Sequence, residues 1–208
     1  YENGSIRETT GTIVDDFERE LYERFNRTIS DVYGGDIADG WSRQSSNVFS
    51  GAFALETPSG DFGGSHIADI DDLQQLEQGD DFRARVFNNN SGDIQLTFAN
   101  QNENGMGSES NYTVKYDPGF PAFAINRFDS GTQNTLTEDT NTSLPSGQWV
   151  DIEINWSSNG TITARLIDAS GTQIVELSTT DTTYTSGGIG YRFNTDGPHY
   201  IDDVRILE

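Results

Sequence analysis

The chain has 208 residues, 33% of them hydrophobic, no cysteine, and 34 acidic residues against 12 basic ones, for a formal charge of −22. This composition offers no disulfide framework and no thiolate metal site. No window approaches the roughly 18 uninterrupted apolar residues of a membrane-spanning helix, and so acidic a chain argues against nucleic acid as a partner, because phosphate neutralisation needs a basic surface.

The 12 Phe, 8 Tyr and 3 Trp can build a core from few, large side chains, which sets the chain apart from an acidic disordered segment. No linker divides it, so 1–208 reads as one domain with a polar N-terminal arm over 1–11. Charge of this density repels itself in dilute buffer. In molar salt the Debye length falls to about 3 Å and the repulsion fades, so the composition reads as that of a salt-adapted protein. Asn-x-Ser/Thr triplets begin at Asn3, Asn26, Asn89, Asn111, Asn141, Asn155 and Asn159. They suit an exported surface, and the expected location is extracellular or at the cell surface.

In chain order, Thr12 to about Glu18 reads as a strand, although Phe17, Leu21 and Phe25 also recur at helical spacing. Trp41–Gln44 and Ala52–Glu56 are short strands, and the stretch from Ile67 to Leu76 has room for a short helix. From Asp81 the pattern is plainly β: Phe82, Ala84 and Val86 alternate with polar neighbours, and Ile94 to Phe98 follows as the expected hairpin partner. Tyr112–Tyr116, Ala122–Phe128 and a short strand about Leu136 come next. Val150, Ile152, Ile154 and Trp156 point inward, with Asp151, Glu153 and Asn155 outward. Asn159-Gly160 is a strong hairpin signal ahead of Thr161–Ile167. Gln173–Leu177, Gly187–Phe193 and Tyr200–Leu207 complete about a dozen strands without βαβ alternation. The expected architecture is all-β: two antiparallel sheets packed face to face.

The segments "SGQWVDIEINW", "NGTITARLID", "GGIGYRF" and "HYIDDVRIL" resemble, in that order, the laminin-G-like, concanavalin A-like jelly rolls. At the front, "VDDFE", a Trp and "VFSGAFALE" are similar to the opening of exported carbohydrate-binding modules, including acidic ones from halophilic archaea. The likeness is weakest over Asp61–Ser110. It implies a jelly-roll β-sandwich whose ligand is a polysaccharide or cell-surface glycan. Such folds also serve as adhesins and hydrolases.

The resemblance further implies a structural Ca²⁺ between the first and last strands, held by Asp16, Glu18 and Asp203, with Asp15 and Asp202 on the opposite strand faces. Asp69, Asp71 and Asp72 form a second acidic group, more in keeping with a solvated turn. Glycan contacts are expected from loop aromatics and their polar neighbours: Tyr33 with Trp41; Tyr116, Phe120 and Arg127; and His199 with Tyr191 and Arg192. Laminarinase-like relatives carry Glu-x-Asp-x-Glu on one strand, and Trp149 stands here in place of the first Glu, ahead of Asp151 and Glu153. That substitution removes the nucleophile a retaining glycosidase needs. The expected function is therefore non-catalytic glycan binding or adhesion. The alternatives are a filament or appendage subunit that self-associates through its arm, and a glycoside hydrolase or polysaccharide lyase.

Overall fold

The computed structural model describes residues 42–44, 54–56, 68–69, 76–89, 92–101, 108–194 and 199–207. Fourteen strands lie among them: β1 (Ser42–Gln44), β2 (Ala54–Glu56), β3 (Ala68–Asp69), β4 (Leu76–Glu77), β5 (Asp81–Phe87), β6 (Asp93–Asn100), β7 (Asn111–Asp117), β8 (Ala122–Asp129), β9 (Thr132–Asp139), β10 (Trp149–Trp156), β11 (Thr161–Asp168), β12 (Gln173–Thr180), β13 (Ser186–Asn194) and β14 (Tyr200–Leu207). One sheet has the order β1-β2-β14-β5-β10-β11-β12. The other has the order β3-β13-β6-β7-β8-β9, with β4 also paired to β13. Every described pairing is antiparallel. The two-sheet jelly-roll sandwich expected from the sequence is what forms.

Alternation sets the faces. Phe82, Ala84 and Val86 of β5 and Val150, Ile152, Ile154 and Trp156 of β10 face Ile94, Leu96 and Phe98 of β6 and Tyr112, Val114 and Tyr116 of β7 across one core. Trp156 joins the layers: its ring meets Phe98 at 5.3 Å and Tyr112 at 5.9 Å, both edge-on. Such edge-to-face pairs add to the area term of burial. The Asn159-Gly160 hairpin forms between β10 and β11, with Gly160 at φ 82°.

Two local expectations are corrected. Phe82–Phe87 and Ile94–Phe98 do not form a hairpin: β5 pairs with β10 and β14, while β6 pairs with β7 and β13. The chain between them crosses from one sheet to the other. Two amphipathic strands with one inward face each fit that crossover as well as they fit a hairpin, and alternation alone does not separate the two. The strand about Leu136 is also longer than expected, eight residues, because β9 pairs along the whole of β8 despite its polar sequence.

β14 takes β2 and β5 as its described neighbours. The expected seam between it and Thr12–Glu18 lies outside the described residues, as do Phe17, Leu21 and Phe25 with their helical spacing.

Candidate functional site

The outward face of the second sheet is unlike an ordinary solvated face. β6 presents Asp93, Gln95, Thr97 and Asn100, β7 presents Asn111, Thr113, Lys115 and Asp117, and β8 presents Asn126 and Phe128. Thr97, Thr113 and Asn126 are 0% exposed and Asn111 is 1% exposed. β6 is buried at all eight positions, on both faces. Buried polar groups are costly unless paired, and most of these are paired. Asn100 Nδ2 donates to Thr97 Oγ1 (3.1 Å) and Asn126 Nδ2 donates to Thr113 Oγ1 (3.2 Å). Gln133 Nε2 and Thr135 Oγ1, both from β9, donate to Asn126 Oδ1 at 3.1 and 3.0 Å.

Charge brackets this amide ladder. Lys115 Nζ sits 3.4 Å from Asp93 and 3.2 Å from Asp117. Burial raises the Asp93 carboxyl above its ordinary value, with Lys115 and the Gln95 amide working against it. On the other flank Arg192 Nη1 lies 3.0 Å from Glu109, which is 1% exposed. Burial pulls the Arg192 guanidinium below its ordinary value, and Glu109 and Asp93 oppose that pull.

The shape follows from one contact. Arg192 belongs to β13 and Phe128 to β8, with β6 and β7 between them. Three strand spacings amount to about 14 Å. The register sets Arg192 level with Ala124, four residues or about 13 Å from Phe128, so on a flat sheet the two backbones would stand about 19 Å apart. The Arg192 guanidinium carbon nevertheless lies 4.2 Å from the Phe128 ring centroid. The face is therefore a trough, and long side chains from its two sides meet across it. β13 contributes no side chain at Gly188 and Gly190, opposite Asn100 and Thr97.

Three acceptors in this trough have no donor among the described residues: Gln95 Oε1, Asn100 Oδ1 and Asn111 Oδ1. Their residues are 4%, 6% and 1% exposed. An unpaired buried acceptor costs about 1–3 kcal/mol, so three on one face is a specific feature.

The expected ligand residues fall in several places. Tyr116 and Tyr191 point inward and are fully buried; Tyr116 donates its hydroxyl proton to the Pro145 carbonyl. Neither ring is placed to stack on a ligand. The alternation that puts a tyrosine beside a loop also puts its ring in the core. Phe120 is 82% exposed on the β7–β8 turn. Arg127 is four residues beyond the Tyr116 partner Phe123, about 13 Å along β8. It pairs with Asp129 at 2.9 Å and Asp181 at 2.5 Å, so Tyr116, Phe120 and Arg127 do not form one cluster. His199 is buried. Of the described candidates, Arg192 alone belongs to the trough. Tyr33 and Trp41 lie outside the described residues.

Of the expected calcium ligands, Asp16 and Glu18, with Asp15, lie outside the described residues, as do Asp71 and Asp72. Asp203 is described: its Oδ2 stands 3.8 Å from both Arg83 Nη2 and Arg85 Nη1. A bulge between Asp202 and Arg205, with Asp203 at φ 52°, breaks the β14 register. Asp202 and Asp203 both act on the Arg85 guanidinium, although strict alternation would separate them. No group of three His, Cys, Asp or Glu side chains suited to a metal occurs among the described residues. Asp151 and Glu153 likewise face arginines: Arg85 forks onto Asp151 at 2.5 and 2.6 Å, and Arg83 approaches Glu153 at 3.9 Å.

The amide ladder was missed in the sequence because each polar residue, taken singly, is an ordinary outward strand position. No local signal marked them: Asn, Gln, Ser and Thr together outnumber Asp and Glu along this chain, so neutral polar residues at outward strand positions are its ordinary pattern.

Fold and trough together define a lectin-like β-sandwich. The chain is similar to a Bacillus subtilis protein of unknown function with a galectin-like fold, at 16% identity and TM-score 0.60, over 86% of this chain and 91% of that one. It is similar to carbohydrate-binding module CBM66 from Bacillus subtilis, at 11% identity and TM-score 0.58, over 81% and 96% of the two chains. A legume lectin-like domain from Entamoeba histolytica aligns at 8% identity and TM-score 0.54, over 81% and 90%. No protein-family model and no curated protein sequence matches the chain. At these identities the likeness is one of fold.

Proposed function

We propose that the chain is a non-catalytic glycan-binding domain and that the trough on the second sheet is its binding face. The observation that carries this reading is the set of three buried amide oxygens, on Gln95, Asn100 and Asn111, that have no donor among the described residues. Hydroxyl-rich ligands supply such donors. The named lectin and carbohydrate-binding module among the structural neighbours support the reading. So do the arginine pairings of Asp151 and Glu153, which leave the one glycosidase-like strand without a free acid.

The test is titration of neutral and acidic polysaccharides by calorimetry, on wild type and on Gln95→Ala and Asn111→Ala, made in a host that does not glycosylate Asn. Asn111→Ala deletes an open acceptor and should fold as wild type does; Gln95→Ala also removes the donor to Asp93, so its unfolding is measured beside its binding; both should bind at least tenfold more weakly. Absence of binding to every glycan in wild type would sink the reading.

A second reading has its own observation. Both sheets end in an eight-residue strand, β9 and β12, with no further described neighbour and neither Lys nor Pro. Such edges accept an added strand, as a filament subunit would require. Sedimentation in molar salt without ligand tests it: a discrete monomer at high protein concentration removes it.

A further inference from the structure

We infer that the trough selects uncharged glycans and holds them as hydrogen-bond donors. This rests on the glycan-binding reading and names the class of ligand. The three open atoms are all acceptors. For Gln95 the orientation is fixed by chemistry: its Nε2 donates to Asp93 Oδ2 at 3.1 Å, and an ionised carboxylate accepts only. The Gln95 oxygen must therefore face the trough. Asn100 donates an N–H to the Thr97 hydroxyl, a group able to donate as well as accept, and its oxygen lies open beside it.

The charges on the face decide the rest. Asp93, Asp117 and Glu109 face Lys115 and Arg192, an excess of one negative charge (three against two). Both cations already hold carboxylate partners within 3.4 Å. A uronate or sulfate entering the trough would meet carboxylates and acceptor oxygens with no uncommitted cation to receive it. Like charges in a water-poor site repel far more strongly than in bulk, and the −22 charge of the whole chain adds to the exclusion at low salt. A neutral sugar meets neither penalty, and its hydroxyls donate to the open amide oxygens.

The experiment has two arms. In the first, dextran, mannan and galactan oligosaccharides are titrated beside dextran sulfate and polygalacturonate, at 0.2 and 2 M NaCl. At least one neutral glycan should bind, with both acidic polymers at least 100-fold weaker at either salt. Salt independence marks rejection inside the trough rather than by the long-range field. Acidic polymers binding as tightly as neutral ones would overturn the inference while leaving glycan binding intact; binding by none would overturn the parent reading as well.

In the second arm, mono-deoxy and mono-fluoro analogues of the best neutral binder are compared. Fluorine accepts weakly and cannot donate. At a hydroxyl that donates to the trough, both analogues should lose at least tenfold. Fluoro analogues that bind like the parent at every position would show that the sugar accepts, and would overturn the inference.

Discussion

Arg192 and Phe128 meet across the trough, guanidinium over ring at 4.2 Å, while the same guanidinium pairs with the buried Glu109 at 3.0 Å. One side chain thus neutralises a carboxylate and caps an aromatic face. Arg192→Ala strips Glu109 of its described cation and should cost about 3 kcal/mol, the usual consequence of breaking a buried pair. Arg192→Lys keeps a charge but loses the planar stack, and should fall between. Urea denaturation of the three proteins checks the order; equal stability of Arg192→Ala and wild type would contradict the pairing.

Gly187 holds β13 against the end of β6, where Asn100 sits. Its φ is 149°, and a Cβ there would stand 2.5 Å from the Ala99 carbonyl carbon and the Asn100 oxygen. Both are backbone atoms, so no rotamer change relieves the clash. Gly187→Ala should cost about 3 kcal/mol, from overpacking and strain together, and should weaken glycan binding by moving Asn100. Thermal unfolding and calorimetry read the two effects; an unperturbed Tm would show that the strands do not approach so closely.

How much of this was legible in the sequence depends on the range of each signal. Val150, Ile152, Ile154 and Trp156 alternate, and Asn159-Gly160 marks a turn; both are local, and both form as read. Sheet membership is not local. Only five residues separate Phe82–Phe87 from Asp93, yet the two strands belong to different sheets, because β5 finds its partners in β10 and β14, far along the chain. The trough was illegible for the same reason. Thr97, Thr113 and Asn126 come together only when β6, β7 and β8 stand side by side, and no single segment marks them as a group. Tyr116 and Tyr191 illustrate the converse error: residue type suggested a ligand, whereas strand parity turned them inward.

Asp181 gives a pH-dependent lock at the sandwich edge. It accepts from Tyr112 Oη at 2.6 Å, Thr183 N at 2.9 Å and Arg127 Nη1 at 2.5 Å. Burial would raise this carboxyl, but the Tyr112 and Thr183 hydrogen bonds and the Arg127 charge outweigh it and hold the group below the ordinary 3.8. A depressed carboxyl contributes stability that is complete above 3.8 and is lost as pH falls through the lower folded value. Asp181→Asn should therefore cost about 2 kcal/mol at pH 7, and the gap to wild type should narrow as pH falls below the ordinary 3.8 and through the lower folded value. The difference between the two proteins cancels the relief of general repulsion on acidification. A gap that stays constant from pH 7 to 2 would rule out the ionised carboxylate as its source.

The −22 charge sets a salt dependence independent of any single pair. Screening shrinks from about 10 Å at 0.1 M to about 3 Å at 1 M. Relief of roughly 3 kcal/mol would raise the Tm by on the order of 10 °C in a chain of this size. Calorimetry from 0.1 to 3 M NaCl should show a rise that flattens above 1 M. A flat Tm would mean that paired arginines already absorb the repulsion.

Asp203 carries the last prediction. Its carboxylate faces Arg83 and Arg85, each at 3.8 Å, and Arg85 is itself forked onto Asp151. A divalent cation bound to Asp203 would stand beside two guanidiniums, and repulsion from both would offset much of its attraction to the carboxylate. The arginines thus place positive charge beside the carboxylate expected to hold calcium, and the two readings part on the effect of the ion. Asp203→Asn should destabilise by about 1 kcal/mol, as a half-screened ion pair does, and by the same amount in EDTA as in millimolar calcium. If calcium instead raises the Tm of wild type by several degrees and leaves Asp203→Asn unmoved, Asp203 is a metal ligand, and the arginine pairing gives way when the ion binds.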